Sequence, residues 1–167
     1  MKIKWVELPI LTPDGKFIAR YSEKGLAGLN FPKAGSARCA DRTAPCDVSV
    51  KILKWHRATE TALKNILAGH APGRFPPLDL AGTEFQKSVW NAMGKISLGK
   101  TKSYGEIASA IGRPRAVRAV GGACGANPVP VLVPCHRVLA ANQKLGGFSS
   151  GLDWKRSLLK REGIEYL

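Results

Sequence analysis

"SYGEIASAIGRPRAVRAVGGACGAN", residues 103–127, is the stretch on which the reading of this chain turns. Ser103 precedes an apolar-periodic run and Glu106 follows three residues later, the pattern of a capping box at a helix start. Ile107 and Ile111 fall on one face and Gly112 supplies the stop. Pro114 suits the first position of a second helix over 114–125. There Ala116, Val117, Val120, Ala123 and Cys124 recur at helical spacing and predict a buried stripe. The opposite face carries Arg115, Arg118, Ala119 and Gly122. Two short helices across a tight turn outline a helix-turn-helix. Small residues let another backbone come close while the arginines project charge, which suits nucleic acid. A merely solvated face would have little use for glycine, which weakens a helix.

The next stretch, "VPVLVPCHRVLA" (129–140), runs strand-like through Val129–Val133, breaks at Pro134, and sets Cys135, His136 and Arg137 side by side. The thiolate is the nucleophilic form of cysteine, and a nearby base or cation favours it. Neighbours on a strand point to opposite sides, so a water or a sharp turn after Pro134 must connect the thiol with the imidazole. An imidazole acting as base wants a carboxylate to orient it. In "LDWKRSLLKREG", Lys155, Leu158, Leu159 and Glu162 share one stripe before Gly163 stops the helix, which nominates Glu162.

Upstream, "VELPIL" and "KFIARYS" flank a Pro-Asp-Gly turn and predict a hairpin, followed by "GLAGLNF". Residues 32–47 are small, polar and rich in Pro and Gly, a loop of no assigned role. Val48 to Leu67 fits an amphipathic helix with Val50, Leu53, Leu63, Ile66 and Leu67 on its apolar side. "AGHAPGRFPP" then breaks structure. The chain thus divides into residues 1–80, an N-terminal unit with its connecting segment, and 81–167, in which Thr83 caps a further helix through Phe85, Val89, Trp90 and Met93.

Twenty-six Lys and Arg against twelve Asp and Glu give a net charge of +14 over 167 residues, which again favours nucleic acid as partner. Four scattered cysteines without a CxxC pair do not make a disulfide framework. Cys39 and Cys46 have no zinc spacing with His56 and His70, and no metal is expected. The N-terminus has no apolar core of signal-peptide length, and no apolar run is long enough to span a membrane. A reducing compartment is expected, cytoplasmic or, in a eukaryote, nuclear.

"GTEFQKSVW", "SYGEIASAIG", "RAVGGA", "NPVPVLVPCHRV" and "GGFSSGLDWKRSLLKRE" resemble, in order and spacing, the methylated-DNA–protein-cysteine methyltransferases, or O6-alkylguanine-DNA alkyltransferases. The resemblance covers about residues 81–163. It implies a ribonuclease-H-like α/β N-terminal domain followed by a mainly helical, winged-helix-like catalytic domain. It also implies irreversible, single-turnover transfer of an alkyl group from O6 of guanine to Cys135. His136 would act as base through a water and Glu162 would orient it. Asn127 would brace the turn before the cysteine, and Tyr104 would aid extrusion and polarise the leaving guanine. Arg118 would fill the stack left by the flipped nucleotide, with Arg115, Ala119, Gly122 and Ser103 on the DNA side through the minor groove. Val138, Ser149 and Ser150 would line the base pocket, with Lys155 beside it. The implied partner is double-stranded DNA carrying O6-alkylguanine, bound by a monomer without a cofactor. Phe148 stands where an aromatic with a hydroxyl is common in the family, and Ser150 where some members have glycine. A bulky benzyl adduct is therefore expected to react less well than methyl. Two other readings compete: a lesion-binding protein without transfer, which the presence of Cys135 opposes, and a Cys-His hydrolase, which leaves the arginine-bearing helix without purpose.

Overall fold

The computed structural model describes residues 5–33 and 48–167, and the loop expected at 32–47 lies almost wholly outside them, as do Cys39 and Cys46. Strands β1 (Val6–Thr12), β2 (Gly15–Tyr21) and β3 (Leu26–Asn30) form an antiparallel sheet in the order β1-β2-β3. The hairpin expected around Pro-Asp-Gly is present, with Thr12 opposite Gly15 and Val6 opposite Tyr21. Pro9 sits on an edge strand, where a missing N–H costs no ladder bond to a further strand. One face, with Leu8, Ile10, Phe17, Ala19 and Leu29, is buried.

Helix α1 (Val50–Leu67) covers that sheet, with the Ser49 hydroxyl accepting from the Ile52 amide at 3.3 Å. Its buried side is Ile52, Thr59, Ala62, Leu63, Ile66 and Leu67. Val50, expected on the apolar side, is exposed in the first turn. The outer edge of β3 is closed by two partners. The Leu26 amide donates to Pro77 O at 2.8 Å, and the Leu29 amide donates to Pro128 O at 2.8 Å. The second bond ties the sheet to the turn that leads into Cys135.

Helix α2 (Glu84–Gly94) starts in a full capping box between Thr83 and Gln86 and buries Val89, Trp90 and Met93. A two-residue β4 (Lys102–Ser103) pairs in parallel with β5 (Val138–Leu139). Helix α3 (Tyr104–Ala110) has the expected box, Ser103 with Glu106, and Gly112 turns the chain at φ +71°. Helix α4 (Val117–Gly125) begins three residues later than expected. Pro114 and Arg115 therefore lie in the connecting turn, and Val117, placed in the buried stripe by spacing, is 41% exposed in the first turn. Val120, Ala123 and Cys124 are buried as expected.

The run Val129–Val133 is not a strand. Its apolar character reflects burial in a tight turn, closed by Val133 N–H donating to Val129 O at 3.0 Å. Val131 takes φ 73°, a left-handed conformation strained for a β-branched residue, and is fully buried. Cys135–Arg137 form one turn of 3-10 helix, the sharp turn after Pro134. Helix α5 (Leu152–Arg161) ends at Glu162. The class is mixed α/β, and one continuous core runs from Leu8 through Val89 and Val120 to Leu158.

Candidate active site

Asn127 builds the local frame. Its Nδ2 donates to Val133 O at 2.8 Å and its Oδ1 accepts from the Val129 amide at 3.0 Å, so one amide side chain closes both ends of the turn. The same side chain favours the anionic form of the Cys135 sulfur. Cys135 is 5% exposed, and burial pushes its thiol above the ordinary value of 9.0. The Asn127 side chain, the Lys155 cation and the backbone amides of Cys135 and Val131 pull the other way. At rest the sulfur is a thiol. Val131, with its unusual φ, lies in the turn that precedes it, and its backbone is among the groups that favour the anion.

His136 is fully buried, and its Nε2 lies 2.8 Å from Glu162 Oε1. Burial holds the imidazole below its ordinary 6.5 despite the carboxylate, so it is neutral near pH 7. With Nε2–H donating to Glu162, the lone pair is on Nδ1, which is buried and has no hydrogen-bond partner. Glu162 is held on a second side by Arg137, whose Nε donates to Oε2 at 2.8 Å and whose NH2 group donates to Oε1 at 2.9 Å. Arg137 also donates to Ile96 O at 2.7 Å. Although burial opposes its charge, hydrogen bonds from His136 and Arg137 draw the Glu162 carboxyl down to about 2. The stripe Lys155, Leu158, Leu159, Glu162 is thus buried as its spacing suggested, with the Glu162 side chain at 0% exposure. Sequence pattern did not assign Arg137 to this carboxylate. Its place beside His136 allowed only the inference of a cation near the thiol.

Lys155 is fully buried. Its Nζ donates to Val138 O at 2.7 Å and Gly147 O at 3.3 Å, and desolvation lowers it to about 8. Val138 is buried beneath the site with its carbonyl occupied by this cation. Neither residue forms the wall of the cleft at Cys135. That cleft, of about 300 Å³, is lined by Tyr104, Gly121, Cys124, Gly125, Cys135, Gly147, Phe148 and Ser149. Tyr104 and Ser149 were expected there; Ser150 is half-buried just beyond. Burial raises the Tyr104 phenol, so it carries its proton at neutral pH. Tyr104 Oη would lie 3.1 Å from a methyl built on Gly146, which therefore has little room for a side chain. The α4 glycines could have been noticed in "VGGACG", but only helix register turns Gly121 and Gly125 inward.

Arg118, Ala119 and Gly122 are exposed on α4, and Arg118 is one turn before Gly121 on the cleft wall. A Cβ added to Gly122 would meet nothing within 4 Å. Arg115 is exposed but precedes the helix, so its charge sits at the turn rather than on the face. The Ser103 hydroxyl is taken up in capping, accepting from the Glu106 amide at 3.1 Å. Among the described residues, no group of three His, Cys, Asp or Glu side chains could hold a metal ion, and no helix is long and apolar enough to cross a membrane.

Residues 84–164 match the model of the DNA-binding domain of 6-O-methylguanine DNA methyltransferase. A methylated-DNA–protein-cysteine methyltransferase of Methanosarcina acetivorans is 43% identical over 152 residues, 91% of this chain and 94% of that one. One from Methanosarcina barkeri is 42% identical over 153 residues, with 92% and 94% coverage. The crystal structure of Mycobacterium tuberculosis OGT in complex with DNA has a TM-score of 0.74 at 35% identity, covering 95% of this chain and 91% of that one. With similarity on this scale running through both halves, the chain belongs to the methylated-DNA–protein-cysteine methyltransferase family.

Proposed function

We propose that the protein repairs DNA by moving an alkyl group from O6 of guanine onto Cys135, once per molecule. The observation that carries the reading is the Glu162–His136 contact of 2.8 Å next to a cysteine whose cleft opens beside the arginine-bearing helix. An O6-methyl group is inaccessible inside a duplex, so the nucleotide leaves the stack, at less cost for a badly pairing lesion. Helix α4 enters the minor groove on Arg118, Ala119 and Gly122, with Arg118 occupying the vacated place. Arg115 and Ser103 flank that face at the turn and the α3 cap. The extruded base stands between Tyr104, Phe148 and Ser149, with Ser150 and the Val138 backbone close by.

His136 Nδ1 then draws the Cys135 proton through a water. The sulfur attacks the methyl carbon in line, the carbon–O6 bond breaks, and its electron pair remains on the guanine. Tyr104 supports that charge by hydrogen bonding, and the proton removed from the thiol ends on the base. Glu162 fixes the ring and stabilises the imidazolium formed in passing. Lys155 and the amides of Cys135 and Val131 stabilise the thiolate, and Asn127 braces the turn. The thioether does not hydrolyse, so the protein is consumed, and no cofactor enters the balance.

In this reading residues 81–167 carry DNA binding and transfer, and residues 1–80 form the supporting α/β unit. The chain works as a monomer in a reducing, cytoplasmic compartment where Cys135 stays a free thiol. Incubation with an excess of duplex containing radiolabelled O6-methylguanine tests the proposal. Label passing to protein and saturating at one per molecule supports it. Tight binding without transfer would instead mean a lesion-binding protein, and repeated turnover of ester substrates a Cys-His hydrolase.

A further inference from the structure

Phe148 forms part of the cleft wall, yet its segment has little to hold it. Gly146, Gly147 and Gly151 surround it, and Gly146 and Gly151 have φ of +67° and +97°. The backbone groups that anchor the segment are few: Gly151 N–H donates to Phe148 O at 3.1 Å, Gly151 O accepts from the Lys155 amide at 3.4 Å, and Gly147 O accepts from Lys155 Nζ at 3.3 Å. From outside the cleft the Phe148 ring meets Phe31, edge-on at 5.9 Å between centroids and 84° between planes. Phe31 follows β3 directly and is packed from two other sides, by Trp154 at 4.8 Å and Phe17 at 5.4 Å. Phe17 and Trp154 also meet edge-on at 5.7 Å. Phe17 is fully buried in β2, so this cluster is rooted in the rigid sheet.

We propose that Phe31, which is not on the cleft wall, is a positioning residue that fixes Phe148 from behind and so sets the size of alkyl group the cleft accepts. The proposal rests on the transfer reading for its substrates, but the geometry on which it stands is independent of it. Edge-on aromatic pairs contribute enough to change a two-position equilibrium severalfold. Without Phe31 the Phe148 ring swings outward, the cleft widens, and a flat bulky group gains access that a methyl group never needed. The N-terminal sheet would then participate in substrate selection, although it carries no residue that touches the substrate.

The test is the ratio of transfer rates from O6-benzylguanine and O6-methylguanine in the same duplex, for wild type, Phe31→Ala, Phe31→Leu and Phe31→Tyr. The benzyl-to-methyl ratio is expected to rise about 3- to 10-fold in Phe31→Ala. It should rise less in Phe31→Leu and return toward wild type in Phe31→Tyr, which keeps the ring. In a Phe148→Ala background, Phe31→Ala should leave the ratio unchanged, because both substitutions act through one wall. A second readout needs no DNA: labelling of Cys135 by N-phenylmaleimide should accelerate in Phe31→Ala more than labelling by iodoacetamide. Rates that fall together at a constant ratio, or equal effects of Phe31→Ala with and without Phe148, would overturn the proposal. Failure of the wild type to transfer methyl would count against the repair reading alone, since the labelling comparison still decides the role of Phe31.

Discussion

Glu162 serves two cationic or proton-bearing partners at once, His136 at 2.8 Å and Arg137 at 2.8 Å, with its side chain fully buried. Glu162→Gln keeps the shape but removes the charge that orients the imidazole and balances the guanidinium. Transfer is expected to slow by about 10²-fold or more, measured as single-turnover loss of methyl from a duplex. Stability should fall by about 3 kcal/mol, since a buried cation loses its partner, measured by urea unfolding. The Glu162 carboxyl is depressed from 4.5 to about 2, so its contribution to stability is full above pH 4.5 and lost as the pH falls toward 2. The variant should lack that acid-dependent component. The rate profile follows from the other two groups. His136 titrates below 6.5 and the Cys135 thiol above 9.0, so transfer should be flat between those values. It should fall only as acid protonates the imidazole, and an acid limb centred at or above 6.5 would contradict a desolvated His136. At this scale the sequence placed Glu162 on one stripe with Leu158 and Leu159, and the helix keeps that spacing. The sequence could not supply Arg137 as the second partner, nor the left-handed Val131, since both depend on how a buried turn closes in three dimensions.

Helices α3 and α4 were legible because their signals are local: a capping box at Ser103, a glycine stop at 112, and apolar residues at helical spacing. The start of α4 was not. Pro114 is compatible with a first helical position, but Arg113–Ala116 form a turn that places the helix start at Val117, leaving Arg115 off its face. The strand-like run before Pro134 failed for a related reason. An apolar stretch of five residues cannot be told from a buried turn by composition, and Asn127 decides the matter with two side-chain bonds. For α4 itself, Gly122→Ala separates a DNA-facing surface from a solvated one. The added methyl has open space in the free protein and should stabilise the helix by up to about 1 kcal/mol. If α4 lies against DNA, a higher melting temperature should accompany weaker duplex affinity. A gain in both, read by thermal denaturation and fluorescence anisotropy, would remove α4 from the interface.

The two halves of the chain are joined by more than a linker. Arg161 on α5 clasps Asp14 of the β1–β2 turn through two bonds of 2.6 and 2.8 Å and donates to Leu67 O at 2.9 Å. The Leu29 amide bonds Pro128 O, and the Phe17–Phe31–Trp154–Phe148 cluster continues from sheet to cleft. None of these long-range contacts is visible in a one-dimensional pattern, which is why the hairpin was legible but its bearing on the site was not. Asp14→Asn should lower stability by about 0.2–1 kcal/mol, as expected for a partly solvated pair. Methyl transfer per folded molecule should be unchanged, measured by chemical denaturation beside the stoichiometric assay. In the proposed reaction everything returns to one sulfur, with His136 as its proton acceptor and α4 as the helix that faces DNA. The most direct measurement is the mass of proteolytic peptides after reaction with an O6-methylguanine duplex. The account predicts one added methyl, confined to the peptide that contains Cys135 and missing from Cys135→Ala; a methyl on any other residue, or none on Cys135 after the lesion has disappeared, would contradict it.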